Sequence, residues 1–367
     1  MSAPAELAIL VEDLPESGAL QRLWLSLECQ SDASFFTSWG WIGTWVGSLP
    51  RQFHPRLLRV TQGDALIGLA VLVDRKYWRH RLIPVTETHL NATGSPHYDS
   101  LTIEYNDILW CQNIPENIKY SVLDRLVRDH IKEELHAPGV QPESYWSNKP
   151  LTKICFSIDS KECNGVDLSQ VRVDGDYLRL ISANTRTKIR KVIKALHQGA
   201  GLNIRLAEGA PAAEAMYEDL VRLHQQTWVA RGKPGAFSNQ YVYDFHLQLI
   251  RNRLPFGEIQ LLSTYSGEKL LGVLYNFVYR GRVYNYQSGI DYTDGNDRLK
   301  PGLVIHSMAI EFCARAGFSY YDLMAGDTQY KRSLGTRTNN LNWQVFQKSK
   351  LKFKFENQLR HWKQLVF

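Results

Sequence analysis

The chain has 367 residues, of which 44% are hydrophobic and 22% charged, the composition of a globular protein long enough for two domains. Its formal net charge of +6 suits a phosphate-bearing ligand or an anionic surface without requiring either. The five cysteines form no Cys-x-x-Cys pair, so we expect free thiols in a reducing compartment and no metal site. The first residues are acidic and lack a long apolar run, so we expect no signal peptide or membrane span and predict a cytoplasmic protein.

The N-terminal segment is predicted to contain a strand and an amphipathic helix over residues 7–30. Trp41 and Trp45 follow one helical turn apart, a spacing typical of core packing. Beyond a hairpin at 57–69, a helix is predicted near 118–135 and a loop over 137–149, which is rich in Pro, Gly and Ser.

The hairpin is the clearest internal signal. Residues 57–69 recur without a gap at 261–273, and both copies carry apolar strands about a Gly-acid turn, Gly63-Asp64 and Gly267-Glu268. Hairpins of this kind are common, and chance similarity is the alternative. We interpret the recurrence as a duplicated domain.

A basic helix is predicted between the two halves. Ile189, Val192 and Leu196 form an apolar stripe, with cations on the remaining surface. A cationic helix without acidic residues is expected to contact an anionic polymer, tRNA or phosphates, or to be a solvated face; the sequence leaves both open.

The helix that follows this segment places His224 and Trp228 one turn apart, ahead of a glycine-rich loop that starts at Arg231. His224 has the chemistry of a base or a substrate hydrogen-bond partner, whereas a packed structural histidine is the alternative.

Near the C-terminal end, Lys300-Pro301-Gly302 opens an apolar helix predicted over 303–316. A buried strand is predicted over 318–324, and the pair Tyr330-Lys331 follows it. Free N–H groups at a helix start attract anions, so this loop is a candidate phosphate site, with an ordinary turn as the alternative.

The order of these pieces resembles the GNAT acyltransferase superfamily, and most of all the cellulose-biosynthesis (CelD-like) acetyltransferases, which are related to the Fem peptidyltransferases. The resemblance covers residues 180–348 well and the N-terminal half weakly. It is carried by His224-x-x-x-Trp228, Arg231-Gly232, Gly235-Ala-Phe237, Lys300-Pro-Gly302, Tyr321-Asp-Leu323, Gly326 and Tyr330-Lys331. Pro301 and Leu303 replace the two small residues of the superfamily's phosphate loop.

This resemblance implies an α/β fold of tandem duplicated GNAT-like domains, with mixed twisted sheets flanked by helices. We predict a degenerate N-terminal domain over 1–178, a C-terminal acyltransferase domain over 179–348 and an amphipathic helix over 349–367. The first domain lacks a Lys-Pro-Gly helix start and a Tyr-Lys pair, so we expect it to supply shape and an acceptor groove.

The resemblance further implies an acyl-CoA-dependent acyltransferase, of the acetyltransferase kind, that modifies an amine or hydroxyl of a cell-surface polysaccharide or its precursor. Acyl-CoA, the glycan and the polysaccharide-synthesis machinery are the expected partners. The residues expected to act in catalysis are Tyr330, Lys331, Asp322 and His224. Those expected at the cofactor are Arg298, Lys300, Pro301, Gly302 and Leu303, and those expected at the substrate are Trp228, Arg231, Tyr286, Asp291 and Gly326.

Two alternatives remain at this stage. One is a Fem-type transferase that uses aminoacyl-tRNA, favoured by the double domain and the basic helix. The other is a non-catalytic GNAT-fold scaffold in polysaccharide synthesis, suggested by the altered phosphate loop. The absence of a Gly-x-Ser-x-Gly elbow, a P-loop and a metal-binding histidine pair argues against hydrolase, kinase and metalloenzyme functions.

Overall fold

The computed structural model describes residues 6–142, 145–147, 154–196, 201–292 and 300–356. The chain forms two compact units, unit 1 from residues 1–160 and 341–367 and unit 2 from residues 161–340. These limits differ from the predicted domain limits for a physical reason. Residues 163–167 pair with a strand of unit 2, and residues 342–347 pair with a strand of unit 1.

Unit 1 begins with a strand and two helices and continues with a sheet and one further helix. Its elements are β1 (Leu7–Asp13), α1 (Ser17–Glu28), α2 (Trp39–Ser48), β2 (Arg56–Gln62), β3 (Ala65–Arg79), β4 (Ile83–Leu90), β5 (Leu109–Trp110), α3 (Glu116–Arg125) and β6 (Glu134–Val140). The strand order is β1-β2-β3-β4-β6, followed by residues 342–347, and β5 pairs with β3. Only β4 and β6 pair in parallel among these described strands.

Unit 2 repeats this arrangement. Its elements, together with the two strands that cross the unit limits, are β7 (Ile154–Asp167), α4 (Leu168–Asp174), α5 (Ala183–Leu196), β8 (Leu202–Leu206), α6 (Gly209–Ala230), α7 (Gln240–Arg253), β9 (Ile259–Ser266), β10 (Lys269–Tyr279), β11 (Arg282–Ile290), α8 (Pro301–Arg315), β12 (Tyr320–Ala325), α9 (Gln329–Leu334) and β13 (Arg337–Lys348). The strand order is β8-β9-β10-β11-β12-β7, and β11 and β12 pair in parallel.

The two hairpins occupy equivalent positions in the two units, as second and third strands. Their register also agrees: Val60 pairs with Gly68, Thr264 pairs with Gly272, and a register shift follows each of these pairs at the same step. Each turn begins with a glycine in the left-handed region, at φ 58° for Gly63 and 56° for Gly267. The predicted α/β fold of duplicated units, with mixed strand pairing flanked by helices, is therefore confirmed.

Apolar side chains on one face of each sheet pack under helices. In unit 1, α3 covers a core that includes Leu90, Leu135 and Ala137. In unit 2, α8 inserts Val304, Ile305 and Ile310 into the core, which explains why its sequence is apolar almost all round.

Two predicted elements differ from the structure. The helix predicted near 118–135 ends at Arg125, with a wider helical turn over 126–130, and the segment predicted as a loop begins inside β6. Residues 351–356 of the predicted C-terminal helix are helical, residues 349 and 350 precede this helix, and residues 357–367 lie outside the described part of the chain. No helix among the described residues is long and apolar enough to cross a membrane.

Candidate active site

A gap between two parallel strands is the central feature of unit 2. Strands β11 and β12 pair only from Arg282↔Tyr320 to Tyr284↔Asp322, yet β11 continues to Ile290. Strand β11 also contains a bulge, because Tyr275 pairs with Gln287 and Asn276 with Asn285, which leaves Tyr286 between them. Beyond Tyr284, β12 does not pair with β11, which leaves a gap between the two strands.

The first turn of α8 lies beside the end of β11. Pro301 occupies the first helical turn, and a Cβ on Gly302 would lie 3.0 Å from Ile290 Cδ1 and 3.5 Å from Tyr292 Oη. Lys300 precedes the helix and is exposed. Free N–H groups and the helix dipole make this position attractive to an anion.

The five predicted cofactor residues are therefore accounted for as follows. Lys300, Pro301, Gly302 and Leu303 form the start of α8, where the Leu303 side chain is buried. Arg298 lies outside the described residues.

Tyr330, on α9, packs against the middle of α8. Its ring stacks on His306 with centroids 5.4 Å apart and an interplanar angle of 23°. Burial, with a smaller contribution from Tyr292, raises the pKa of Tyr330 to about 12. Tyr330 is thus a protonated phenol at neutral pH.

His306 is a site residue that the sequence did not single out. It is buried, and its Nδ1 atom has no hydrogen-bond partner within the described structure. Burial, and secondarily the Lys331 ammonium, lowers the pKa of His306 to about 3, so the ring is neutral. The sequence signal that could have identified it is a single histidine on an otherwise apolar helix face, one turn after Gly302.

Lys331 and Asp322 hold the strained end of β12. The Lys331 ammonium donates to the carbonyl oxygens of Ala325 at 2.8 Å and Met324 at 3.3 Å. Asp322 accepts a hydrogen bond from the Met324 N–H at 2.7 Å and pairs with Arg282 at 2.6 Å. Met324 has φ 64°, an unfavourable conformation for its side chain. Both charged residues therefore contact the backbone that leads to α9.

His224 is packed against aromatic rings. Its ring centroid lies 5.0 Å from that of Phe237 and 5.8 Å from that of Trp228, and its Nδ1 is 3.2 Å from Gln225 Oε1. Burial lowers the pKa of His224. Gln225 in turn donates to the Pro234 carbonyl at 2.8 Å. His224 and Gln225 thereby link α6 to the loop after it.

The predicted substrate residues have different surroundings near the end of β11. The exposed Arg231 guanidinium lies 5.8 Å from the centre of the Tyr292 ring, and Asp291 is 3.6 Å from Lys269. Tyr286 instead packs into an aromatic cluster, with Phe277 at 4.6 Å and His246 at 4.8 Å between ring centroids.

The remaining predicted residues lie on either side of the gap. The Thr227 hydroxyl, one position before Trp228, donates to the Ile290 carbonyl at 3.3 Å, which places this part of α6 at the end of β11. Gly326, at φ 136°, lies in the turn after β12, where its N–H donates to the Glu162 carbonyl at 3.0 Å.

Residues 183–332 match the family model for an acetyltransferase (GNAT) domain. The match contains α6, β11, the start of α8, β12 and Tyr330, so the gap lies within the GNAT-type domain. No protein with a curated description matches the chain.

Solved structures share the fold over nearly the whole chain. FemX is 9% identical with a TM-score of 0.56, covering 91% of this chain and 96% of FemX. A conserved protein of unknown function from Bacteroides thetaiotaomicron is 10% identical with a TM-score of 0.55, covering 93% of this chain and 100% of that one. The C-terminal domain of a putative lysylphosphatidylglycerol synthetase from Agrobacterium fabrum is 9% identical with a TM-score of 0.50, covering 94% and 95%. At these identities the likeness is one of fold alone.

Proposed function

We propose that the chain transfers an acyl group, with acetyl as the first candidate, from acyl-CoA to an amine or hydroxyl of a cell-surface polysaccharide or its precursor. The observation that carries the transferase part is the gap between β11 and β12 facing the start of α8, inside a segment that matches a GNAT domain. The glycan acceptor rests on the CelD-like resemblance, which stays a prediction.

The cofactor in this proposal lies along the gap. Its pantetheine arm hydrogen-bonds to the part of β11 that β12 does not pair with, and its pyrophosphate approaches the first turn of α8 at Gly302, with Lys300 adding a positive charge. The absence of a Cβ at 302 matters there, because bulk at this position would fill the space between the helix and Tyr292.

The chemistry requires a polarised thioester carbonyl and a proton for the departing thiolate. Backbone N–H groups beyond the bulge of β11 polarise the thioester carbonyl. Tyr330 donates the proton to the CoA sulfur as the nucleophile's bond to the carbonyl carbon forms and the C–S bond breaks. Lys331 and Asp322 position the chain that carries Tyr330, and the nucleophile's proton leaves to solvent or to a base on the acceptor side.

The acceptor side is formed by α6 and the loop after it. Arg231 and Tyr292 lie at the end of β11, where polar groups of a sugar are within reach of a guanidinium and a phenol. We assign His224 to holding this wall in place together with Gln225, since its ring packs against Trp228 and Phe237.

Calorimetry with acetyl-CoA, longer acyl-CoAs and charged tRNA tests the proposal. We expect acyl-CoA binding in the wild type and its loss in Gly302→Asp, where bulk and negative charge meet the pyrophosphate. Gly18→Asp is the matched control, because Gly18 holds the same second position of helix α1 and a Cβ there meets only Arg22 Nη1, at 3.6 Å. Survival of CoA binding in a folded Gly302→Asp protein would place the site elsewhere.

A Fem-type transfer from aminoacyl-tRNA is the second candidate. Two observations favour it: the likeness to FemX covers 91% of this chain, and α5 carries cations that form no ion pair with any described residue. These cations are Arg186, Lys188, Arg190, Lys191 and Lys194. Tight binding of charged tRNA without acyl-CoA binding would favour this function, and binding of neither would favour the scaffold.

A further inference from the structure

The parallel strand pair of unit 1 carries acidic and histidine side chains where unit 2 carries an ion pair. Glu87 on β4 pairs with Glu134 on β6, and His89 pairs with His136. Alternate residues of a strand face the same side, so these four side chains share one face of the sheet. The equivalent step of β11 and β12 holds the contact between Arg282 and Asp322.

Both imidazoles of this cluster approach a single carboxylate. His89 Nε2 lies 3.2 Å from Glu87 Oε2, and His136 Nε2 lies 3.5 Å from Glu87 Oε1. One donor atom from each of the three residues lies within 4.8 Å of the other two. Ligands bound at 2.0–2.1 Å to a tetrahedral ion are about 3.3 Å apart, so small side-chain shifts would complete the coordination.

The cluster also has more negative than positive charge. The Arg79 guanidinium contacts three carboxylates, Glu87 at 3.1 Å, Glu134 at 2.8 Å and Glu356 at 3.3 Å. All three of these carboxylates are buried. Arg79 and these three carboxylates together carry two net negative charges, which one divalent cation would neutralise.

We propose that Glu87, His89 and His136 bind one divalent transition-metal ion of the Zn²⁺ type. Two imidazoles and one carboxylate are a ligand set that suits this class of ion and leaves a further coordination position. Glu134 Oε2 lies 3.0 Å from the same His136 Nε2 atom, so this carboxylate is placed to take that position. The bound ion ties β4 to β6.

The surroundings of the three ligands support their orientation and their access to an ion. The Tyr77 hydroxyl donates to Glu87 Oε1 at 2.6 Å, which fixes the carboxylate. The side chain of His136 is 23% exposed, so an ion can enter from solvent on that side. No sequence motif marked this site, because Glu87-x-His89 is a short pattern and His136 lies much further along the chain.

Tag-free protein stripped with a chelator and then titrated with Co²⁺ tests the proposal. We expect one Co²⁺ per chain, with the visible d–d absorption of a low-coordinate ion, and displacement by Zn²⁺. His136→Gln should weaken binding by at least about tenfold. His80→Gln is the matched control, since His80 contacts Glu356 at 3.5 Å at the edge of the same cluster and is 58% exposed.

A third variant locates the ion by a gained spectroscopic signal and does not depend on a loss of binding. His136→Cys should bind Co²⁺ with an added thiolate-to-metal charge-transfer band. A folded wild type that binds no Co²⁺ at micromolar concentrations would overturn the proposal and leave a hydrogen-bonded ionic network. Equal binding by His136→Gln and the wild type, or loss on changing His80, would overturn the assignment of these ligands.

Discussion

At the scale of single residues, Tyr330 is the group whose removal tests the chemistry most directly. Tyr330→Phe removes one oxygen and keeps the ring that stacks on His306. We expect single-turnover acyl transfer to slow by about a hundredfold or more, since general acids contribute on that order. Tyr243→Phe, which removes a surface hydroxyl bonded to Glu218, is the control. A Tyr330→Phe enzyme within about threefold of the wild type would end the assignment.

The pH dependence of the rate gives a second test of Tyr330. Because burial raises its pKa to about 12, the donating form is complete at neutral pH and is lost only as the pH rises through that value. We therefore expect no alkaline decline in the transfer rate up to about pH 10. Stopped-flow rates measured across pH, with the fold checked at each point, decide the matter. A decline centred near neutrality would point to another acid.

Lys331 is expected to act through the backbone. Lys331→Met removes the hydrogen bonds to the Met324 and Ala325 carbonyls, and bonds to a charged group contribute about 1.5–3 kcal/mol. We expect a lower thermal midpoint and lower turnover with an unchanged pH profile. Lys331→Arg should restore part of both. A Lys331→Met protein that keeps its stability but loses acyl-CoA affinity would indicate a phosphate contact instead.

The sequence located this residue pair but not the contacts that each residue makes. Tyr330 and Lys331 follow a recognisable buried strand, so their presence near its end was predictable. Lys331 contacts the carbonyl of Met324, whose left-handed conformation no local pattern signals, because methionine rarely adopts it. The buried charge of Asp322 likewise depends on Arg282, a partner on another strand.

At the scale of elements, the contact between α6 and β11 sets one wall of the site. A Cβ on Gly289 would lie 2.4 Å from the Leu220 carbonyl oxygen and 2.9 Å from the Leu220 Cα, so the helix backbone would have to move. We expect Gly289→Ala to destabilise the fold by about 1–3 kcal/mol and to impair transfer. Thermal denaturation and turnover measure these effects, with Gly18→Ala as the control. Unchanged values would show that α6 is free to shift.

Helices and strands were predictable where the spacing of hydrophobic residues or a turn residue marked them. The hairpins and α8 have clear signals, since Gly63, Gly267 and Pro301 each mark a turn or a helix start. Strand β6 was missed because Pro138 and Gly139 resemble a loop. Its pairing with β4 and with residues 342–347 makes it a strand, and that tertiary context overrides local propensity.

At the scale of the whole molecule, the hairpin repeat indicated the duplication. The sequence did not indicate that the gap between β11 and β12 of unit 2 has no counterpart between β4 and β6 of unit 1. In unit 1, Asn106 closes the space between the ends of β4 and β6. Its side-chain amide donates to the Leu90 carbonyl at 3.0 Å, and its N–H donates to the Gly139 carbonyl at 3.0 Å. Asn91 in turn donates to Asn106 at 2.8 Å.

We therefore expect one acyl-CoA site per chain, in unit 2 alone. The chain's own Asn106 fills the space that a pantetheine arm would need in unit 1. In addition, the first turn of α3 carries Glu116, whose negative charge opposes a phosphate. Calorimetric stoichiometry should be one for the wild type and zero for Gly302→Asp. Asn106→Ala should leave the stoichiometry at one while lowering stability, because buried partners lose their hydrogen bonds. Two sites in the wild type, or one remaining in Gly302→Asp, would mean that unit 1 still binds the cofactor.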